Sequence, residues 1–481
     1  MTLQDATKFY IDGAWVAPRV ANPYAVVDPS TEQAYAHISL GSVEDADKAV
    51  AAAKRAFVSW SRSTKSERLD LLKSILDRYI ARIDDFGDTI SKEMGSPIDH
   101  ARSEHATCGD FHIEYYIKAL EELTLEWPLR PGDDDQFLVR EPIGVAALIT
   151  PWNWPINQIS LKVGAAIAAG CTMVLKPSEI APMSGMLFAE VMHDAGVPNG
   201  VFNLVNGDGA TVGTRLSEHP DVDMVSFTGS TRAGRLVTKA AAQTVKRVAL
   251  ELGGKGPNIV FADVPDLAKT IKAGVRRVMD NSGQSCNAPT RMLVERRVYE
   301  QAKQIAADVC AATLVGPSAR TGKHIGPVVS DVQYAKIQNL IQSGIDEGAQ
   351  VLGGGVGKPE GMDVGYFVQP TVFGDVTPSM TIFREEIFGP VMSLTPFDTE
   401  EEAIVLAIDT EYGLTSYVQT GDPERARRVT RQLRSGMVII NGAARAGGAP
   451  FGGYKQSGNG REGGTFGIED FQEVKAIAGW H

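Results

Sequence analysis

Cysteine is scarce in this chain. There are four in 481 residues, Cys108, Cys171, Cys286 and Cys310. Their irregular spacing gives neither a disulfide framework nor a zinc pattern. That points to a reducing compartment, where a thiol nucleophile survives. Histidine is also sparse, at eight residues. His100, His105 and His112 fall in a segment that reads as helix, without metal-ligand spacing. They are placed on a solvated face, and no catalytic metal is expected. Positive charge is short: the net charge is −12 and no basic run offsets it, which argues against a nucleic-acid partner. Long apolar runs are missing. The most apolar stretch, Val163 to Ala169, is short, Ala/Gly-rich and preceded by Lys162, so it cannot span a bilayer. The segment Met1-Thr2-Leu3-Gln4-Asp5 has no basic region followed by an apolar core and does not read as a secretory signal. A cytoplasmic protein with no membrane partner is the expectation. No internal repeat and no low-complexity tail is visible.

What is present is an ordinary globular composition, 43% hydrophobic and 22% charged, in a chain long enough for two or three lobes. Ser42 to Met94 reads as helix, with Leu69, Leu72, Ile75, Leu76, Tyr79 and Ile83 at three- and four-residue steps. From Arg140 onward short apolar strands alternate with helices. Val145–Ile149, Thr172–Leu175, Val201–Val205 and Met224–Phe227 are the predicted strands, and Ile156–Ala169 and Ser184–Ala195 the helices. After Glu251 a second alternation begins. Its strands are Asn258–Phe261, Arg291–Val294 and Val391–Leu394; its helices are Asp266–Asn281, Val298–Leu314 and Thr399–Ile408. Two α/β lobes with doubly wound parallel sheets are therefore expected.

Seven segments carry chemistry. Cys286, in Gly283-Gln284-Ser285-Cys286-Asn287-Ala288, and Glu251, in Glu251-Leu252-Gly253-Gly254-Lys255, offer a nucleophile and a base for covalent catalysis at a carbonyl. A lone Cys is more often a small buried hydrophobe than a nucleophile, and the rest of the chain shifts that balance. Thr228-Gly229-Ser230-Thr231-Arg232-Ala233-Gly234 follows a strand and opens a helix, as a dinucleotide site requires. Its middle position is Thr231 rather than glycine, so a cofactor would be held differently from the usual Rossmann arrangement; a plain strand-to-helix turn is the alternative. Lys176-Pro177-Ser178-Glu179 sets a cation and a carboxylate at a strand's carboxyl end. Glu179 can accept from ribose hydroxyls and would repel a 2′-phosphate, which favours NAD over NADP; the alternative is an exposed ion pair. In Thr150-Pro151-Trp152-Asn153-Trp154-Pro155 two prolines fix an amide between two indoles. Asn153 can stabilise an oxyanion or simply cap a helix. Glu385-Glu386-Ile387-Phe388-Gly389-Pro390 pairs a ribose-holding carboxylate with an aromatic ring, or is a solvated acidic turn. The last segment, Pro450 to Gly458, is a dense glycine turn. Upstream of it, Arg445 either faces a substrate carboxylate or, the preferred reading, is solvated.

Together, Pro151-Trp152-Asn153, Lys176-Pro177-Ser178-Glu179, Phe227-Thr228-Gly229-Ser230, Glu251 to Lys255, Gly283 to Cys286 and Glu386 to Pro390 resemble the NAD(P)-dependent aldehyde dehydrogenase superfamily, in order and spacing, from about Tyr10 to Ala476. The resemblance implies an NAD-binding domain (1-123 and 143-253), a catalytic domain (254-455), and an oligomerisation arm with the C-terminal segment (124-142 and 456-481). It implies a homodimer or homotetramer, because arm strands in this family extend a sheet of another subunit. It also implies roles. Cys286 is the nucleophile and Glu251 the general base. Asn153 and the Cys286 backbone N–H form the oxyanion hole, and Lys162 backs the base in a proton relay. Lys176 and Glu179 hold the adenosine ribose, Gly229 and Ser230 the pyrophosphate, and Gly209 also belongs to the cofactor site. Glu386 binds the nicotinamide ribose, and Phe388, Trp152 and Leu252 wall the nicotinamide. Glu251 favours hydrolysis of the thioester over transfer to coenzyme A, since acyl-transferring members usually lack this base.

The implied substrate is a small-molecule aldehyde, with Trp154, Ser285, Asn287 and Arg445 around it. A betaine aldehyde needs aromatic walls for its quaternary ammonium. Trp154 supplies one, but Leu161 and Gly442-Ala443-Ala444 supply none. An apolar or small aldehyde is the first expectation and a semialdehyde facing Arg445 the second. A catalytically silent binding protein of the same family is the rival reading; it calls for loss of nucleophile or base, and neither is lost.

Overall fold

A computed structural model describes residues 5–480. Met1 to Gln4, which carry most of the segment read against a secretory signal, and His481 lie outside the described residues.

The first lobe is built on an eight-stranded sheet. Its centre is parallel, in the order Arg247–Glu251, Met224–Thr228, Val145–Ile149, Thr172–Lys176, Phe202–Leu204. Val145–Ile149, Thr172–Lys176 and Met224–Thr228 are buried along their whole length, as continuous apolar runs under helices on both faces require. Antiparallel pieces close the sheet: Phe9–Ile11 and Ala14–Val16 at one edge, Gly458–Asn459 at the other. Helices Val43–Trp60 and Lys65–Ile80 start in reciprocal capping boxes, Ser42 with Asp45 and Thr64 with Glu67; these satisfy backbone N–H groups that the first turn leaves unpaired.

The second lobe carries a seven-stranded sheet in the order Gln350–Gly353, Thr371–Gly374, Val391–Phe397, Arg291–Glu295, Pro257–Val260, Thr415–Gln419, Met437–Ile440. All its pairings are parallel except that of Gln350–Gly353. A three-stranded antiparallel sheet joins Glu126–Pro128, Gln136–Pro142 and Gln472–Ala478. Among the described residues no helix is long and apolar enough to cross a membrane.

The fold class expected from the sequence is found, and most boundaries agree within a few residues. One placement is corrected. His105 and His112 are buried, at 1% and 7% exposure, not solvated. Residues Ala101–His105 form a π-helical turn between Ile98–His100 and Thr107–Glu122. Such a turn changes the angular position of the residues after it relative to a regular helix, and it brings the His105 ring inward against Trp154.

Candidate active site

The chain order in the first sheet reverses between Val145–Ile149 and Met224–Thr228. Open α/β sheets bind ligands in the crevice at the carboxyl ends of the strands on either side of such a reversal. Thr150 to Trp154, Lys176 to Glu179, Gly229-Ser230 and Glu251 all leave the carboxyl ends of adjacent parallel strands there. Thr150 Oγ1 and Thr228 Oγ1 are buried at this crevice without hydrogen-bond partners.

The Cys286 loop comes from the second lobe. It follows three consecutive left-handed residues, Asn281 (φ 50°), Ser282 (φ 54°) and Gly283 (φ 74°). Side chain and backbone bonds hold this turn. Ser282 Oγ donates to the Gly326 carbonyl at 2.8 Å, and Gln284 Oε1 accepts from the Val329 N–H at 2.9 Å. The loop is pinned to the first lobe. Asn153 Nδ2 donates to the Gln284 carbonyl at 3.0 Å, Asn281 Nδ2 to the Asn153 carbonyl at 3.0 Å, and Trp154 Nε1 to Ser285 Oγ at 2.8 Å. Asn153 is buried, at 4% exposure. It does not cap the following helix: the N-cap is Trp154, which makes no side-chain cap bond, and Pro155 fills the first turn. Glycine is required opposite Cys286, because a Cβ on Gly254 would stand 2.4 Å from the Cys286 carbonyl oxygen. Cys286 keeps partial solvent access. Burial raises its thiol well above the ordinary range, and the Glu251 and Glu386 carboxylates raise it further.

Glu251 is buried, and neither carboxylate oxygen has a hydrogen-bond partner. Burial raises its pKa well above 4.5, Glu462 repels it further, and Lys162 acts in the opposite direction. Lys162, the residue expected behind the base, makes no direct bond to it. Its Nζ lies 2.5 Å from Glu462 Oε1 and 2.9 Å from Ser226 Oγ, at 1% exposure. Glu462 was missed in the sequence. A carboxylate set between Arg461 and Gly463-Gly464, right after the glycine turn, was the available signal.

On the cofactor side, Lys176 is buried rather than part of an exposed pair. Its Nζ donates to the Gly207 carbonyl at 2.6 Å and the Pro177 carbonyl at 2.9 Å, and lies 3.3 Å from Glu179 Oε2. Gly209 opens a short helical segment with free space where a side chain would stand. Ser230 caps helix Thr231–Ala241 through Ala233 N–H, and the Gly229 N–H donates to the Glu251 carbonyl at 3.0 Å. Leu252 packs against Gly234, where a Cβ would meet its methyls at 2.7 Å. The Phe388 ring, on a left-handed backbone (φ 60°), meets Trp152 edge-on at 5.5 Å. Glu386 accepts from the Gly254 N–H at 2.7 Å, and its own pKa is raised by burial. Gln333 Nε2, unforeseen in the sequence, holds the Phe388 carbonyl at 2.8 Å.

On the substrate side, Asn287 turns its carbonyl to the Tyr417 hydroxyl at 2.8 Å. Arg445 is reached by solvent, as preferred from the sequence, yet it lies over the Phe451 ring at 5.2 Å and donates to the Ala449 carbonyl at 2.6 Å. Crowding lowers its pKa, while Tyr116, Glu462 and Glu251 act the other way. His112 Nε2 meets Asn157 Oδ1 at 2.7 Å.

The aldehyde dehydrogenase family profile matches residues 15–477. The 3-succinoylsemialdehyde-pyridine dehydrogenase of a Pseudomonas species is 51% identical over 479 residues, 99% of each chain. An aldehyde dehydrogenase structure from Bartonella henselae superposes with TM-score 0.98 at 56% identity, covering 99% of this chain and all of that one. A cysteine-to-alanine variant of aldehyde dehydrogenase C from Pseudomonas syringae, in complex with NAD+ and octanal, gives TM-score 0.97 at 47% identity, over 99% and 97% of the two chains. This chain belongs to the aldehyde dehydrogenase family.

Proposed function

We propose that the protein oxidises an aldehyde to its carboxylic acid with NAD, through Cys286 as nucleophile and Glu251 as base. The observation that carries the reading is a convergence. The Cys286 loop is tied to the Asn153 amide on one side and lies in the field of the buried, unpartnered Glu251 carboxylate on the other. The crevice fits a dinucleotide. It offers unpartnered Thr150 and Thr228 hydroxyls, free space at Gly209, a helix start at Ser230 for a phosphate, and the Trp152–Phe388 wall.

The Cys286 sulfur forms a bond to the aldehyde carbon as its proton leaves toward Glu251. Asn153 Nδ2 and the Cys286 N–H hold the oxyanion, once Asn153 turns from the Gln284 carbonyl. A bound nicotinamide supplies the hydride acceptor. Cys286 then carries the acyl group as a thioester. Glu251, after giving the thiol's proton up to solvent, takes a proton from water; the water oxygen bonds to the acyl carbon as the carbon–sulfur bond breaks, which gives the acid and a sulfur that regains its proton. Lys162 and Glu462 set the proton affinity of Glu251. Glu179 beside Lys176 favours NAD over NADP.

An apolar or small aldehyde is the first substrate reading, supported by the octanal complex of the Pseudomonas syringae relative. A semialdehyde is the second. It is favoured by Arg445, which donates a single hydrogen bond to the protein among the described residues, and by the semialdehyde named in the 51%-identical relative. A betaine aldehyde is disfavoured, because His105 covers one face of Trp154 at 3.9 Å.

The same reading divides the chain into an NAD-binding region, a catalytic region and an arm, with the bounds expected from the sequence, and places it in the cytoplasm. It is a homodimer or homotetramer. Gln472–Ala478 and Met437–Ile440 are edge strands of their sheets, and such edges call for a partner or a cover.

The test is NADH absorbance with a panel of aldehydes. Cys286→Ala should abolish turnover while NAD still binds, and adding coenzyme A should leave the free acid as the product. A wild-type-like rate in Cys286→Ala sinks the reading.

A further inference from the structure

Resting on that assignment of Cys286 and Asn153, we infer that His105 is a positioning residue for the catalytic loop. Its ring is buried, stacks on Trp154 at 3.9 Å with 16° between planes, and has Nε2 3.1 Å from Asn281 Oδ1. The network fixes the chemistry of that contact. Asn281 Nδ2 faces two carbonyl oxygens, those of Asn153 at 3.0 Å and Gln284 at 3.3 Å. The amide must therefore turn its NH2 to them and its oxygen to His105. His105 Nε2 then carries the hydrogen, and Nδ1, buried without a partner, is the bare nitrogen of a neutral ring. Burial, with His100 beside it, holds the pKa well below 6.5, in keeping with that tautomer.

His105 thus grips the site at two points. Through Asn281 it holds the residue that begins the left-handed turn. A non-glycine residue in that conformation is strained and persists where its surroundings over-determine it. Through the stack it orients Trp154, whose Nε1 holds Ser285 Oγ at 2.8 Å. Both grips end beside the same carbonyl cradle: Asn281 on the Asn153 backbone, Trp154 on the residue before Cys286. A small displacement there separates the oxyanion donor from the sulfur, while Lys176, Glu179 and Ser230 of the dinucleotide crevice, none of which bonds to Asn281 or Trp154, keep their own partners. The π-helical turn Ala101–His105 supplies the inward rotation; turns of this kind often mark functional segments.

The experiment compares His105→Phe, which keeps a stacking ring and loses the donor, with His105→Gln, whose amide nitrogen can occupy the place of Nε2. Single-turnover NADH formation should fall about tenfold or more in His105→Phe, with NAD affinity unchanged, and should return to within about threefold in His105→Gln. Alkylation of Cys286 by iodoacetamide across pH needs no aldehyde. Its profile should shift in His105→Phe and return in His105→Gln. That separates failure of this inference from failure of the proposed function: an enzyme inactive on every aldehyde still reports the loop through its alkylation profile. If His105→Phe does not fold, Asn281→Gly, which tolerates the left-handed backbone but lacks the amide, cuts the same link and should show the same losses. A folded His105→Phe or Asn281→Gly with wild-type rate and profile overturns the inference.

Discussion

Glu462→Gln should move the acid limb of deacylation to lower pH, and adding Lys162→Met should move it back. In the proposed mechanism Glu251 works as a carboxylate, so deacylation rises as pH climbs through its pKa. That pKa stands well above 4.5, first through burial and next through repulsion by Glu462, with Lys162 opposing both. Neighbouring charges shift a carboxyl by about one to three units. Lys162, at 2.5 Å, neutralises much of Glu462 before its field reaches Glu251, so the low end applies. One unit is about 1.4 kcal/mol, or tenfold in rate on the acid side. Glutamine keeps an acceptor for Lys162 Nζ, so the cation stays in place and its full field lowers the Glu251 pKa. In the double variant both fields vanish and the limb returns toward wild type. The assay is the slow phase of NADH formation after the burst, measured across pH, with an unchanged burst amplitude reporting intact acylation. A Glu462→Gln limb that stays put or rises, in folded enzyme, refutes the electrostatic account of the base.

Three further outcomes rest on the same contacts. Glu251 ionises near its ordinary value when unfolded and well above it when folded. The native state then holds the extra proton, and that advantage is lost as pH rises from the unfolded value through the raised one. Glu251→Gln should therefore gain stability over wild type with rising pH, by about 1–3 kcal/mol at the alkaline end, while showing an NADH burst and a slow second phase; a pH-independent gain in thermal denaturation contradicts this. Arg445→Met should raise KM several-fold for an aldehyde with an anionic tail and leave octanal within about twofold, as a lost surface-type ion pair of about 1 kcal/mol implies; equal effects on both remove Arg445 from recognition. Glu179→Ala should weaken NAD by about tenfold, near the 1.4 kcal/mol of one lost charge-assisted bond, and NADP less; equal losses in a binding titration place the ribose anchor elsewhere.

The first lobe was legible because its strands are buried on both faces. Val145–Ile149 and Met224–Thr228 read as unbroken apolar runs flanked by helix periodicity. The second lobe was read less completely. Thr371–Gly374, Thr415–Gln419 and Met437–Ile440 are strands, but each is short or mixes Ser, Thr and Gly with apolar residues, and their pairing is decided by neighbours far away in the chain. Of the site, residues inside compact motifs were legible: Asn153, Lys176, Glu251, Cys286 and Glu386 each sit among glycines and prolines that announce a built turn. Glu462, Asn281 and His105 were not. Their roles come from contacts 300, 128 and 176 residues away in sequence, and the helical pattern around His105 gave no sign of the π-helical turn.

Those long-range contacts also say where the stability of the site resides. The Cys286 loop begins with two left-handed residues other than glycine, each costing about 1–3 kcal/mol, and it faces a carboxylate without partners. Neither feature persists unaided. Ser282 to Gly326 and Val329 to Gln284 compensate within the second lobe, and three further bonds run between lobes: Asn153 to Gln284, Asn281 to Asn153, Trp154 to Ser285. Each of these three joins a first-lobe strand end to the second-lobe loop, so the proposed reacting geometry is assembled where the lobes meet. On the proposed mechanism a substitution that loosens this seam acts on the transition state first, because the Cys286 sulfur and the Asn153 amide come from opposite sides of it, and each lobe keeps its own buried core. Rate should thus fall before the melting temperature does, the reverse of what a core cavity produces.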